Sequence, residues 1–217
     1  MQNHCSFVLS RIGPVLCAAL LSVAIGCGER VEDVGADSAA VDRTTQKESE
    51  NKGEKQMTLT LSSSAFTQGH PIPKKYTGEG EDVSPPLAWS GLPAGTKELA
   101  LICDDPDAPR DEPWVHWVIY KIPAAASGLP EGVPKKSRLK EPAGALQGKN
   151  SWPEGENIGY GGPMPPPGHG VHHYYFKLYA LDMALEVEPG LNKKALLEKM
   201  QGHILAEAAL MGIYERR

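Results

Sequence analysis

Two stretches of the chain hold the residue types that chemistry needs. The first, Asp104-Asp105-Pro106-Asp107-Ala108-Pro109, ends an apolar run and precedes Trp114-Val115-His116-Trp117. Three carboxylates at a strand end, with an imidazole on the next strand, could line a polar pocket. The same residues also suit a plain turn, because Asp bonds its own backbone and Pro presets φ. The sequence alone leaves both readings open. The second stretch runs from Gly159 to Tyr174 through Gly162, Pro163, Pro165, His169, His172 and His173. Its glycines let a ligand approach the backbone, and its prolines hold the loop without a large entropic loss on binding. If the segment that follows is a strand, His172 and Tyr174 share one face and His173 points to the other.

Several reaction classes lack their residues. His169, His172 and His173 invite a zinc reading, since imidazole is a common ligand. Adjacent His172 and His173 diverge on a strand, however, so no metal and no cofactor is expected. The nucleophile elbow Gly-x-Ser-x-Gly, a Walker loop and a dinucleotide glycine signature are all missing. Cys103 is a poor nucleophile, because it lies in an apolar strand beside two carboxylates that raise its pKa. Acid–base hydrolysis by the paired acids and histidines stays open as a third reading, although no nucleophile, metal cage or cofactor loop accompanies them.

The elements that must position these residues read mostly as strands. Met57 to Leu61 alternates apolar and polar, and Leu99–Cys103, Val115–Ile122 and Tyr174–Leu181 are β-branched, aromatic or apolar runs between Pro- and Gly-rich connections. After Pro189-Gly190, Asn192 caps a helix predicted over Lys193 to Met200. Gly202 separates it from a second predicted helix, His203 to about Tyr214, with Ile204, Leu205, Ala208 and Met211 on one face. Strands joined by irregular loops, with helices only at the end, imply a mostly β domain, an antiparallel or mixed sheet assembly with terminal α-helices rather than alternating βα units.

The N-terminal quarter has a different character. Residues 1–26 contain one charge, Arg11, and an apolar run from Ile12 to Ile25, the layout of an export signal. Ala24-Ile25-Gly26-Cys27 resembles the lipoprotein signal-peptidase site of bacteria. Cys27 is therefore expected to carry a lipid and hold the protein on a cell-envelope membrane, the outer one where there are two, since Gly28 follows it. Cys5 and Cys17 would leave with the signal, making Cys103 the only thiol in the folded part. Residues 27–56 are charged and free of aromatics, and read as a disordered tether of roughly 30 Å average span. The folded domain is then 57–217. Net charge is −5 over the whole chain, so the strongly basic footprint of a nucleic-acid binder is absent.

Taken in order, Ser84-Pro-Pro-Leu87-x-Trp89, Asp105-Pro-Asp-Ala-Pro109, Trp114-Val-His116-Trp117, the Gly-Pro loop ending in His172-His-Tyr174, and Tyr179-Ala-Leu-Asp182 resemble the phosphatidylethanolamine-binding protein family, in its bacterial Raf-kinase-inhibitor-like branch. The resemblance covers the chain from about Met57 to its end. It implies a β-sandwich with peripheral helices and a small pocket for phosphate, acetate or a phosphoethanolamine headgroup. Asp105, Asp107, Ala108, Pro109, Trp114, His116, Pro165, His172 and Tyr174 fall on the family's pocket motifs, with Gly162 and Pro163 at the rim. It also implies cis bonds near the first motif, at Ala108–Pro109 and Glu112–Pro113. His173 stands where the family often has Arg, which removes a permanent charge. For an anion to enter among carboxylates, the acids must orient the imidazoles so that N–H donors face it. The expected activity is binding without turnover. The alternative is docking onto a partner, such as a cell-envelope protease, that the domain inhibits.

Overall fold

The computed structural model describes residues 58–217. The signal, Cys27 and the tether lie outside the described residues. The domain is built on two antiparallel sheets. The smaller orders β1 (Thr60–Ser62), β2 (Leu87–Ser90) and β5 (Gly128–Leu129) as β1-β2-β5. The larger orders β6 (Leu146–Gln147), β4 (Trp114–Pro123), β3 (Glu98–Asp105), β7 (Val171–Leu181) and β8 (Ile204–Glu215) as β6-β4-β3-β7-β8. One helix, α1 (Lys193–Met200), is described, and Asn192 caps it by accepting from the Ala195 N–H. Among the described residues no helix is long and apolar enough to cross a membrane.

β3 is the keystone. Every one of its residues is buried, because it lies between β4 and β7 and is covered on both faces. Leu99, Leu101 and Cys103 enter the core between the two sheets, where they meet Trp89, Trp117 and Phe176. Ala100 and Ile102 enter a second core under α1, with Leu196 and Met200. A strand covered on both sides reads as a continuous apolar run, as this one does. β7 is covered likewise: Tyr174, Phe176 and Leu178 face the first core, and Tyr179 and Leu181 the second.

The second helix predicted from sequence does not form. Residues 204–215 make β8, paired with β7 from Val171↔Glu215 to Leu181↔Ile204. The apolar residues there fit either period, but burial alternates with period two. Ala206, Ala208 and Tyr214 pack on the inter-sheet core and Leu210 belongs to it, while Leu205, Glu207 and Ala209 are exposed. The tertiary demand decides the matter, since the long edge of β7 would otherwise leave its backbone groups unpaired. Gly212 fits this strand for a packing reason. A Cβ there would sit 2.5 Å from Ile72 Cγ1 and 2.8 Å from Phe66 Cε2, both buried side chains.

Gly212→Ala is accordingly expected to lower stability by about 1–3 kcal/mol through overpacking. Leu205→Thr on the exposed face should stay within about 0.5 kcal/mol of wild type. Urea midpoints measure both, and equal midpoints for the two variants would contradict this packing.

Candidate functional site

Three side chains reach one concavity by three backbone devices. Asp105 shares its face of β3 with Leu101 and Cys103, so the strand's alternation sends its carboxylate to the inter-sheet side, and Asp104 goes to the opposite side. There Asp104, 1% exposed in its side chain, pairs with Lys177 and Lys193 and ties α1 to the sheet. His172 and Tyr174 arrive by the same alternation on β7. His116 needs a bulge. The ladder pairs Cys103 with Trp117 and then Asp104 with Val115, so His116 is the extra residue. Its neighbour Trp117 already faces the inter-sheet core, and the bulge turns the imidazole to that side too, a common use of bulges beside binding sites. The bulged residue exchanges two hydrogen bonds with Gly161. Gly161 N–H donates to the His116 carbonyl at 2.9 Å, and His116 Nδ1–H donates to the Gly161 carbonyl at 2.6 Å.

The result is a cavity of about 240 Å³ walled by Asp105, Ala108, Pro109, Trp114, His116, Pro165, His172 and Tyr174, together with Arg110, Trp152, Met164 and Pro166. A wider groove of about 1100 Å³ lies alongside α1 and shares Arg110 and Trp114 with it. The smaller cavity is the candidate site because buried polar groups converge there.

Asp107, Gly162 and Pro163 lie off its wall. Asp107 Oδ2 accepts from the His173 backbone N–H at 2.8 Å and faces His173 Nδ1 at 2.7 Å, on the other side of β7. Gly162 donates its N–H to Asp82 Oδ1, and a Cβ there would lie 2.5 Å from the Tyr76 carbonyl oxygen. Its role is close backbone packing. Pro163 accepts from the Gly78 N–H at 2.9 Å. The bonds Ala108–Pro109 and Glu112–Pro113 are trans, and the one cis peptide among the described residues is Glu141–Pro142. Trans is the lower form of such bonds by about 0.5–1 kcal/mol. The loop turns by other means, Asp107 N–H donating to Asp105 Oδ1 at 2.8 Å and Arg110 N–H to the Ala108 carbonyl at 2.7 Å.

Sequence reasoning missed Arg110, Trp152, Met164 and Pro166. Arg110 stacks over the Trp114 ring at 4.4 Å and brings the permanent charge that His173 does not. Trp152 sets its ring edge-on to His116 at 5.1 Å. Neither has a local sequence signature, because only the folded loops bring them to the rim. Met164 and Pro166 belong to a loop the sequence did single out.

The electrostatics separate the two histidines. His172, 1% exposed, bonds Asp105 Oδ2 through Nδ1 at 2.7 Å. Asp105 accepts at both oxygens, so it fixes the proton on Nδ1. Burial pushes His116 down to about 4, the Gly161 hydrogen bond and the Asp105 and Asp104 carboxylates opposing it only in part. His116 is therefore neutral near pH 7. Its proton sits on Nδ1, and Nε2 offers a lone pair with no partner among the described residues. The N–H donor expected from this imidazole therefore does not face the cavity, and it stays uncharged because desolvation outweighs the nearby carboxylates at this position. Tyr174 O–H is buried on the cavity wall and has no hydrogen-bond partner among the described residues. Burial, and after it Asp105, pushes the phenol far up, so it is a donor. Cys103 is sealed in the core, where burial and then Asp104 and Asp105 push its thiol up.

The depressed His116 carries a stability prediction. Its native form resists a proton that the unfolded chain accepts near 6.5, so stability present above that pH is lost as pH falls from about 6.5 to about 4. The loss is on the order of 3 kcal/mol. His116→Gln should remove that share, giving urea midpoints with a shallower pH dependence over this window. Superimposable profiles would show that His116 is not held neutral.

Comparison with known proteins places these motifs. The family model for phosphatidylethanolamine-binding protein matches residues 62–215. A UPF0098 protein of Methanothermobacter thermautotrophicus is 51% identical over 158 residues, which cover 73% of this chain and 99% of the relative. A crystal structure of a phosphatidylethanolamine-binding protein homologue from Chlamydia trachomatis is 43% identical, with TM-score 0.65, covering 74% of this chain and 99% of that one. The crystal structure of E. coli YbcL, a new member of the mammalian PEBP family, is 33% identical with TM-score 0.67, covering 73% of this chain and 99% of that one. With a family model matched across nearly all of the described domain, and relatives aligned over almost their whole length, this chain belongs to the phosphatidylethanolamine-binding protein family.

Proposed function

We propose that the domain is a non-enzymatic binding module whose cavity takes a small group bearing a phosphate or carboxylate, the phosphoethanolamine headgroup being the best fit. The observation that carries this reading is the Tyr174 O–H on the wall of the cavity, which has no partner among the described residues. A buried donor left unpaired costs about 1–3 kcal/mol, a cost that a ligand oxygen removes. Arg110 at the mouth adds a permanent positive charge for an anion. The neutral His116 Nε2 offers an acceptor for an ammonium group beside the phosphate, since both Asp105 oxygens are already engaged. A zwitterion satisfies donor and acceptor together. Among the described residues no serine, threonine or cysteine lines the cavity, which favours binding over nucleophilic turnover.

A second reading, docking onto an envelope partner such as a protease, is supported by the wide groove that continues from the cavity past Arg110 and Trp114. Crosslinking on intact cells, comparing wild type with a His116→Ala His172→Ala double variant, tests it. A partner captured by both proteins alike would separate docking from the cavity.

The lipid anchor belongs to the same proposal, since a domain tethered through Cys27 stays within reach of phospholipid headgroups. Cys27→Ser should shift the protein from the membrane fraction to the soluble one, and an unchanged membrane fraction would refute the anchor. Calorimetric titration with phosphoethanolamine should show binding that Tyr174→Phe weakens about ten- to hundredfold, the range for one hydrogen bond to a charged group. Absence of binding at millimolar ligand, or equal affinities, would overturn the headgroup reading.

A further inference from the structure

Asp82 holds its backbone at φ +53°, in the left-handed region. A side chain takes that conformation only where its surroundings compel it, Asp and Asn most readily. Here the carboxylate is engaged at both oxygens. Oδ1 accepts the Gly162 N–H at 2.6 Å, and Oδ2 pairs with Lys135.

The peptide group that Asp82 grips is the one that holds His116. Gly161 C=O and Gly162 N–H belong to a single trans peptide, so they point in opposite directions. The N–H reaches Asp82, and the C=O receives the His116 Nδ1–H at 2.6 Å. A buried imidazole is thus linked to a partly exposed carboxylate through one amide plane. We propose that Asp82 is a positioning residue which, by fixing this plane, keeps the His116 proton on Nδ1 and a lone pair at Nε2, and so selects ligands that carry an ammonium group beside the anion. The proposal deepens the headgroup reading and rests on it.

The competing arrangement is a flipped peptide. A half-turn of the Gly161–Gly162 plane would aim its N–H at His116 Nδ1, which must then accept, and the proton would sit on Nε2. The cavity would gain a donor and lose its acceptor. Glycine on both sides makes this a flip that backbone sterics resist little. Charge is what opposes it. The flipped carbonyl oxygen would face the Asp82 carboxylate with no proton between them, and the Gly162 N–H would give up a charged acceptor, whose hydrogen bonds are about twice as strong as neutral ones. Packing holds the two α-carbons in place. A Cβ on Gly161 would stand 2.8 Å from Trp152 Cζ3, and one on Gly162 would stand 2.5 Å from the Tyr76 carbonyl oxygen. The facing of the plane between them rests on its hydrogen bonds.

Asp82 does this without touching a ligand. It does not line the cavity, but a separate concavity of about 370 Å³ that shares Trp152 with it and also includes Lys135 and Gly161. Its charge reaches the ring as well. Burial lowers His116, and Asp82 is among the groups that oppose it, after Gly161, Asp105 and Asp104. The Asp82 and Lys135 side chains are 37% and 45% exposed, and a pair so exposed contributes little to stability, so the residue can be changed with the fold intact.

The test compares Asp82→Gly, which accepts the left-handed backbone but has no acceptor, with Asp82→Asn, which tolerates the same backbone and keeps an oxygen for the Gly162 N–H. In the ligand-free full chain, the 15N resonances of His116 should report a proton on Nδ1 in wild type and Asp82→Asn. In Asp82→Gly the proton should be shared with Nε2 or moved to it. Calorimetric titrations with phosphoethanolamine and with ethyl phosphate, which lacks the ammonium group, read the consequence. Wild type and Asp82→Asn should prefer phosphoethanolamine, and in Asp82→Gly that preference should fall about two- to tenfold, the worth of one hydrogen bond. A wild-type tautomer or a wild-type preference in Asp82→Gly overturns the proposal and leaves the headgroup reading standing. So does an Asp82→Asn that behaves as Asp82→Gly does. Neither ester bound by wild type at millimolar concentration overturns the headgroup reading and the ligand selection together, while the His116 resonances still decide whether Asp82 holds the tautomer.

Discussion

A carboxylate buried in a protein must be paired or give up its charge, and the architecture follows from how two consecutive carboxylates meet that constraint. Asp104 and Asp105 close a strand covered on both faces, and the pleat sends them apart. Asp104 gathers Lys177 and Lys193 and fastens α1 to one side of the sheet. Asp105 takes the Asp107 N–H and the His172 imidazole on the other side. The first pairing holds the second core together. The second fixes the tautomer and orientation of a histidine more than sixty residues away, and with it one wall of the cavity. Removing either partner would leave a charge with no water to solvate it.

Around that pair the two histidines take opposite roles for reasons of solvation. His172 is tied to a carboxylate, whereas His116 is tied to a peptide carbonyl and closed in by Trp152 and Tyr174. A carbonyl fixes a tautomer without supplying the full charge that would stabilise an imidazolium, so desolvation prevails and His116 stays neutral. The cavity thus combines a neutral acceptor, an unpaired phenol donor and a fixed guanidinium at its rim. Such a set suits a ligand that is itself both donor and acceptor better than it suits a bare anion.

Packing, more than ligand approach, accounts for several residues that looked functional. Gly162 is glycine because the Tyr76–Thr77 backbone lies against it. Asp107 faces the far side of β7, because Asp107 and Asp105 are separated by a turn that reverses the chain. His169, weighed at first only as a metal ligand, closes a hydrogen-bonded chain from Asp105 to the surface.

The sequence by itself determined the local and alternating features. The apolar run of β3, the alternation that puts His172 and Tyr174 on one face, and the Asn192 cap of α1 were legible because each depends on neighbours within a few residues. The ordered motifs also made the family and most of the cavity wall legible. Tertiary structure alone decided the rest. It made β8 a strand where the apolar pattern fitted a helix equally well, because the edge of β7 needed a partner. It put His116 on the site's face by a bulge that no alternation rule predicts, and it brought Arg110 and Trp152 to the rim from loops with no signature. Hydrogen-bond pairing between strands and the depth of burial are properties of distant segments meeting, and a one-dimensional pattern does not contain them.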